Sequence, residues 1–444
     1  MGGEPMDSGP WGGPDATDAS PAAGTRAGST PKLIGTAWAL LALNTFGSAG
    51  QKTIITLPRS LMQMATMGAL VAAFLLALVL NPRLRIRPSA FLLLLTLLLV
   101  ESTISSVRLA GPGSLFRCAR LTLFIATLWL LSRWWDGSLT FVRSHIRIYF
   151  AVLVTAAAGL VISPGAAMPA TYQGRLVGAL WPLTPPQIGQ YTAVIIGLTV
   201  LLVLGRRTTK TGAALIIVPS LVLLALSHTR TATLGLLVGL VLAVLSLILT
   251  SAAARRFFTC VVLCATVAAV GFSSALQAWF LRGQSQQNFA SFTGRAKVWH
   301  ALLSAPRSTS QQLFGTGLGD KSFEGLPIDS SWLAVYNEQG LIGDALVAAI
   351  VLVLGGVALL RPPSLPRACA IFLISYCAIS SYTEVGLGDA SAYLLHLALA
   401  ASLLAAPAET APPRTPPGRR RRLRLPGMRE PTSPAASSPD LEVA

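Results

Sequence analysis

Apolar and polar residues along this chain alternate in long blocks, not at short periods. Apolar runs of about 20 residues recur, the length a helix needs to cross a hydrocarbon core. Twelve lie near 31–49, 60–80, 88–108, 114–133, 145–163, 187–205, 212–228, 231–250, 257–277, 331–360, 367–383 and 390–406. The pattern predicts an all-α polytopic membrane protein with about 12 transmembrane helices. Two polar intervals are long, one at 164–186 and a larger one at 278–330, just before the tenth helix. The tenth run is irregular. In "GTGLGDKSFEGLPIDSSWLAVYNEQGLIGDALVAAIVLVL" (315–354), Asn337 and Glu338 stand inside an otherwise apolar crossing. A carboxylate at that depth needs a partner.

Composition agrees with this reading: 53% of residues are hydrophobic and 11% charged, which excludes an ordinary soluble domain of 444 residues. Residues 1–30 are rich in Gly, Pro, Ser and Asp and read as a disordered tail, with no basic segment leading into a short apolar core as in a signal peptide. Residues 407–444 read as a second disordered tail carrying "GRRRRLRLPGMR". Between them, 31–406 reads as one transmembrane domain. The five cysteines, Cys118, Cys260, Cys264, Cys369 and Cys377, fall in or beside apolar runs and read as small core residues, not as a disulfide or metal framework.

The net charge of +17 takes its meaning from its distribution. Every second loop is basic: Arg83, Arg85 and Arg87; Arg133, Arg143 and Arg147; Arg206, Arg207 and Lys210; Arg255 and Arg256; Arg361 and Arg367. The positive-inside rule puts these loops and both termini in the cytoplasm of a cell (inner or plasma) membrane, with 278–330 outside. The charge thus calls for a lipid bilayer, not nucleic acid. The basic tail reads as an anchor to anionic lipid.

Several arginines break the rule by lying on the outer side: Arg108, Arg117, Arg120, Arg175, Arg230, Arg282, Arg295 and Arg307, with Lys297. A charge at the centre of a membrane helix costs about 2.5–3.5 kcal/mol, less towards the interface. Arg117 and Arg120 are three apart and share a helix face, and Glu101 is placed to pair with Arg120 across the hairpin. Two readings stand for Arg108, Arg117 and Arg120: snorkelling to headgroups beside Glu101, or binding an anionic ligand. Arg230, in a very short connection, and Arg295, directly after a glycine, fit the second better. Guanidinium groups grip phosphate oxygens in bidentate fashion, so the cluster suits a diphosphate.

Four stretches containing these residues resemble the O-antigen ligase and polymerase superfamily. "YQGRLVGALWPLTPPQIGQYTAVIIGL" (172–198) is similar to the family's Arg-x-x-Gly element, and "SHTRTATLGLLVGL" (227–240) to its Ser-x-(Ser/Thr)-Arg-(Gly/Thr)-Ala helix start. "FTGRAKVWHALL" (292–303) resembles its Gly-Arg-x-x-x-Trp element, and "DSSWLAVYNEQGLIG" (329–343) its His-Asn-x-Tyr-Leu…Glu-x-Gly-Leu-x-Gly element. The resemblance implies transfer of a glycan from a polyprenyl-diphosphate carrier (undecaprenyl diphosphate) to an acceptor hydroxyl outside the membrane, in cell-surface polysaccharide assembly, with no cofactor and no metal. It implies that Arg230 and Arg295 engage the donor diphosphate and that Glu338 is the family's acid. Where ligases carry a histidine base, this chain has Asp329, which favours a polymerase or another acceptor over ligation.

Read from the chemistry, Arg230 and Arg295, with Arg175, hold the diphosphate, and Asp329 serves as base or orients the acceptor. Glu338, nine residues on and about 13 Å along a helix, positions an arginine. Arg117, Arg120, Trp299 and His300 are further candidates for substrate contact. Trp299 belongs to a segment suited to the interface, and His300 is a possible substitute base. The glycines of "GTGLGD" read as turn formers, not as a phosphate loop. The alternative function is a flippase or transporter of lipid-linked glycans, which would show repeat symmetry and a cavity open to both sides in turn.

Overall fold

A computed structural model describes residues 24–46, 53–54, 58–109, 112–271, 274, 295–319 and 321–406. The basic tail, the whole interval 278–294 with Arg282, and "GTGLGD"'s Asp320 lie outside the described residues, as do residues 1–23. The helices are α1 (Gly24–Leu43), α2 (Arg59–Leu80), α3 (Ala90–Leu109), α4 (Pro112–Leu131), α5 (Thr140–Ile162), α6 (Pro164–Ala167), α7 (Pro185–Leu204), α8 (Lys210–Ser227), α9 (Arg230–Leu245) and α10 (Ala252–Gly271). They continue with α11 (Arg295–Ser304), α12 (Thr309–Phe314), α13 (Ser331–Leu360), α14 (Leu365–Ser380) and α15 (Ala392–Leu403). A two-stranded antiparallel hairpin, β1 (Ser322–Phe323) and β2 (Leu326–Pro327), precedes α13.

Each of the twelve apolar runs coincides with a helix, so the chain is an all-α polytopic membrane protein. The boundaries differ in places. α1 begins at Gly24, inside the stretch read as a tail, and α9 ends at Leu245, five residues short of the expected 250. Within the interval 278–330 the described residues form α11, α12 and the hairpin. Cys118, Cys369 and Cys377 are buried as expected, but Cys260 and Cys264 lie on the exposed side of α10 and are not core residues.

Seven helices, α2 to α5, α7, α8 and α13, are by length and composition able to cross a membrane. Four apolar helices are shorter, α10 falls in neither group, and burial explains the shortest. All twelve residues of α15 are buried, so a rod about 18 Å long is surrounded by protein instead of facing lipid. α7 is nearly as enclosed. A buried polar chain links these central helices to α1 and α5. Trp38 Nε1 donates to His145 Nδ1 at 3.2 Å, His145 Nε2 lies 3.0 Å from His396 Nδ1, and Gln190 Nε2 lies 3.2 Å from His396 Nε2.

Glycines allow α7, α9 and α14 to pack closely. A Cβ on Gly197 would overlap the Phe372 ring, and Gly235 and Gly239, four apart on α9, face Tyr376 and Phe372. Small residues opposite large rings are how membrane helices gain contact without a hydrophobic driving force. Polar caps fix the helix ends. Gln187 Oε1 accepts from Thr184 N at 2.9 Å, and Ser391 Oγ accepts from Leu394 N at 3.2 Å. His228, left-handed with φ of 48°, ends α8 and turns the chain so that α9 begins at Arg230. Gly197→Val is expected to lose about 1–3 kcal/mol through overpacking, while Gly68→Ala, which meets open space, loses none. Thermal unfolding in detergent checks this, and equal melting temperatures would disprove the close packing.

Candidate active site

Helix α13 is broken. Gly340 has φ of 65° and ψ of −165°, so the helix stops after Gln339 and restarts at Leu341. A break frees carbonyls, and in an apolar setting these must be satisfied from within the protein. The loop after α12 satisfies them. Thr316 donates to the Asn337 carbonyl through both its backbone N and its Oγ1, each at 2.9 Å, and Gly317 N donates to the Glu338 carbonyl at 2.9 Å. Two glycines make this approach possible. A Cβ on Gly315 (φ 73°) would overlap the Glu338–Gln339 peptide, and one on Gly340 would overlap the Leu313 carbonyl. The glycine loop is therefore a cap for a broken helix.

Glu338 is buried beside the break and has partners. Arg117 Nη1 donates to its Oε1 at 2.7 Å, and Gly319 N donates to the same oxygen at 3.0 Å. Arg117 Nη2 also donates to Asp389 Oδ2 at 2.6 Å, and Lys321 Nζ lies 3.3 Å from that oxygen. Asp389 stands in the loop between α14 and α15. Burial pushes its carboxyl up, but Lys321, Arg117 and Arg120 outweigh burial and hold it well below the usual carboxylate range. The network ties α4, α13, Lys321 and the loop 381–391 together.

The expected pairing of Glu101 with Arg120 does not form. Arg120 donates to Asn44, through Nε to Oδ1 at 3.2 Å and through Nη2 to the carbonyl at 2.8 Å, while Glu101 accepts from Ser105 Oγ at 2.6 Å. One turn along its own helix, Ser105 is a nearer partner than anything on α4. Glu338 likewise holds Arg117 and not the arginines of the long loops.

Those arginines meet elsewhere at the same end of the bundle. Arg175 is fixed by donating to the Ser227 carbonyl at 3.0 Å and to Thr229 Oγ1 at 3.3 Å, the two residues flanking the left-handed His228. Arg230 follows directly. Arg295, first residue of α11, donates through Nε to Asp329 Oδ2 at 3.0 Å, with side chains 27% and 39% exposed. Burial works against the charge on Arg175, Glu384 supports it, and Arg295 and Arg230 oppose it, so Arg175 feels both neighbouring guanidinium groups.

Glu384, in the loop between α14 and α15, belongs to the same cluster. Ser331 Oγ donates to its carbonyl at 2.7 Å, and Thr231 and Thr383 hydroxyls lie 2.6 Å apart. These bonds join its neighbourhood to the residues just after Asp329 and Arg230. Burial pushes the Glu384 carboxyl up to about 7, against the pull of Arg295 and with the push of Asp329. Sequence reading passes over Glu384 because its loop is very short. The available signal is the polar "SSYTEVGLGDAS" between two apolar runs.

The remaining candidates sit at the rim. Trp299 packs edge-on against Tyr382 with ring centroids 5.4 Å apart, while His300 is exposed on α11. Arg307 donates to Asn337 Oδ1 at 2.6 Å and stacks over Tyr336.

The two clusters differ in kind. Around Glu338, buried acids and bases satisfy one another. Around Arg295, three guanidinium groups face two carboxylates, one of them only partly ionised at neutral pH. Neighbouring like charges repel, and an anion relieves the repulsion.

Removing Arg117 leaves two acids buried together, so Arg117→Ala is expected to lose about 3–5 kcal/mol, part of it recovered by adding Asp389→Asn. Denaturation of the single and double variants measures the coupling, and simple additivity would disprove it. Gly340→Ala is expected to release the capping loop, seen as faster amide hydrogen exchange at 315–319 with α7 unaffected.

No curated protein matches the chain. The family model described as O-antigen ligase matches residues 215–345. That stretch contains Arg230, Arg295, Asp329, the capping loop and Glu338, while Arg175 and Glu384 lie outside it. Over that stretch, which holds part of each cluster, the chain is similar to the O-antigen ligase family.

Proposed function

We propose that the protein transfers a glycan from a polyprenyl-diphosphate carrier to an acceptor hydroxyl at the extracytoplasmic face, in cell-surface polysaccharide assembly. The supporting observation is that Arg175 has Arg230 and Arg295 as like-charged neighbours. As the bond from the anomeric carbon to the diphosphate oxygen breaks, its electron pair moves onto the diphosphate. Preorganised guanidinium groups in a poorly solvated site stabilise that charge. They take the role of the cation that many soluble transferases recruit as a metal ion.

The acceptor oxygen attacks the anomeric carbon and gives up its proton. Asp329, anchored to Arg295, orients that hydroxyl. Glu338 acts at a distance, by holding Arg117 and with it the capping loop. Trp299 and Tyr382 form the apolar rim along which the prenyl chain enters. The opposite end of the bundle carries the basic loops. There Arg87 donates to the Trp135 carbonyl at 2.7 Å, and Gly137 N donates to the Ser402 carbonyl at 3.1 Å. This fits a cytoplasmic end with both termini, in the inner or plasma membrane. Residues 31–406 then form the transferase domain, with a basic tail that binds anionic lipid.

The presence of Asp329 where ligases carry histidine favours a polymerase or an acceptor other than the usual one. Arg295→Ala and Arg230→Ala are each expected to lower glycan transfer about 10²- to 10³-fold with membrane abundance unchanged. Transfer by purified Arg295→Ala at the wild-type rate would sink the reading.

A further inference from the structure

We propose that Glu384 is the base that takes the proton of the acceptor hydroxyl. This rests on the diphosphate reading of the arginine cluster and adds a catalytic residue to it. Three observations carry it.

The first is position. Thr383, next to Glu384, is hydrogen-bonded to Thr231, next to Arg230. The Glu384 carbonyl accepts from Ser331, two residues after Asp329, and Ser331 Oγ accepts in turn from Gly386 N at 2.9 Å. Glu384 is thereby held between the segment that starts α9 and the segment that starts α13. The second is availability. Asp329 is engaged through Oδ2 by Arg295. Among the described residues, no ion pair or hydrogen bond engages the Glu384 carboxylate, and the residue is partly accessible. A base must be free to receive a proton. The third is electrostatic. The groups that face Glu384 are Arg295 on α11, Arg175 before α7 and Asp329 before α13, with the phenols of Tyr376 on α14 and Tyr393 on α15 also within reach. Burial among them leaves a carboxyl that titrates near neutrality, where a general base works best.

The step balances as follows. The acceptor oxygen forms a bond to the anomeric carbon as the bond from that carbon to the diphosphate oxygen breaks. The leaving electron pair remains on the diphosphate among Arg175, Arg230 and Arg295. The hydroxyl proton passes to a Glu384 carboxylate oxygen and then to water. The active form of Glu384 is the ionised one, so the rate rises with pH through about 7 and levels off above it.

The test uses the full-length protein in liposomes. The donor is lipid-linked glycan extracted from cells that make it but lack this enzyme, and undecaprenyl diphosphate without glycan serves as the binding probe. Wild type is expected to show an acid limb near pH 7. Glu384→Gln is expected to lose about 10²- to 10⁴-fold in rate and to lose the acid limb, while binding the probe as wild type does. Glu384→Asp is expected to recover part of the rate together with the limb.

A wild-type rate or an unchanged acid limb in Glu384→Gln would overturn the proposal. So would loss of probe binding in that variant, which would make Glu384 part of the binding framework instead. Arg295→Ala separates the two readings. If it binds the probe normally, the diphosphate reading fails. If it loses the probe while Glu384→Gln transfers normally, only the base assignment fails.

Discussion

The structure depends on one constraint: a helix that breaks inside an apolar segment must have its open carbonyls satisfied from within the protein. Gly340 breaks α13, and Thr316 and Gly317 supply the missing donors. Because the cap comes from the loop after α12, docking that loop is the condition for the break. Docking also brings Gly319 N onto Glu338. Asn337 and Glu338, the polar pair within the tenth apolar run, belong to this junction. Glu338 sits where the chain leaves its helix, and Arg117 and Asp389 extend its hydrogen bonds to a neighbouring helix and to the last loop.

The contrast between the two charge clusters follows from how each is closed. Arg117 lies between two carboxylates, with Lys321 as a further cation, and its groups are consumed in binding one another. Such a network holds segments in register, and losing one member leaves the rest exposed to the full penalty of burial. Arg175 is held by a backbone carbonyl and a hydroxyl and Arg295 by a single aspartate, and Arg175 has both Arg230 and Arg295 as like-charged neighbours. One network builds the frame and the other is the proposed site of chemistry, and both lie at the same end of the bundle.

The match to O-antigen ligase covers the elements from α8 to the first part of α13. It takes in two of the three arginines and stops before the last loop. Arg175 enters the cluster from the segment before α7, and Glu384 from the loop before α15. The site is assembled from four regions far apart in the chain, so any one region conveys only part of it.

The sequence by itself determined the class of fold and the main crossings, because hydrocarbon imposes a length and a composition that can be counted along one dimension. It also determined which arginines are out of place, since a guanidinium beside apolar runs is costly wherever it points. It did not determine pairing. Arg120 chose Asn44 over Glu101, Glu338 chose Arg117, and Glu384 joined the arginines from a loop of a few residues. Those choices depend on distances between helices that are remote in sequence, and these are set by packing such as Phe372 against Gly197 and Gly239. Charge is written into the chain, but its partner is decided only when the helices come together.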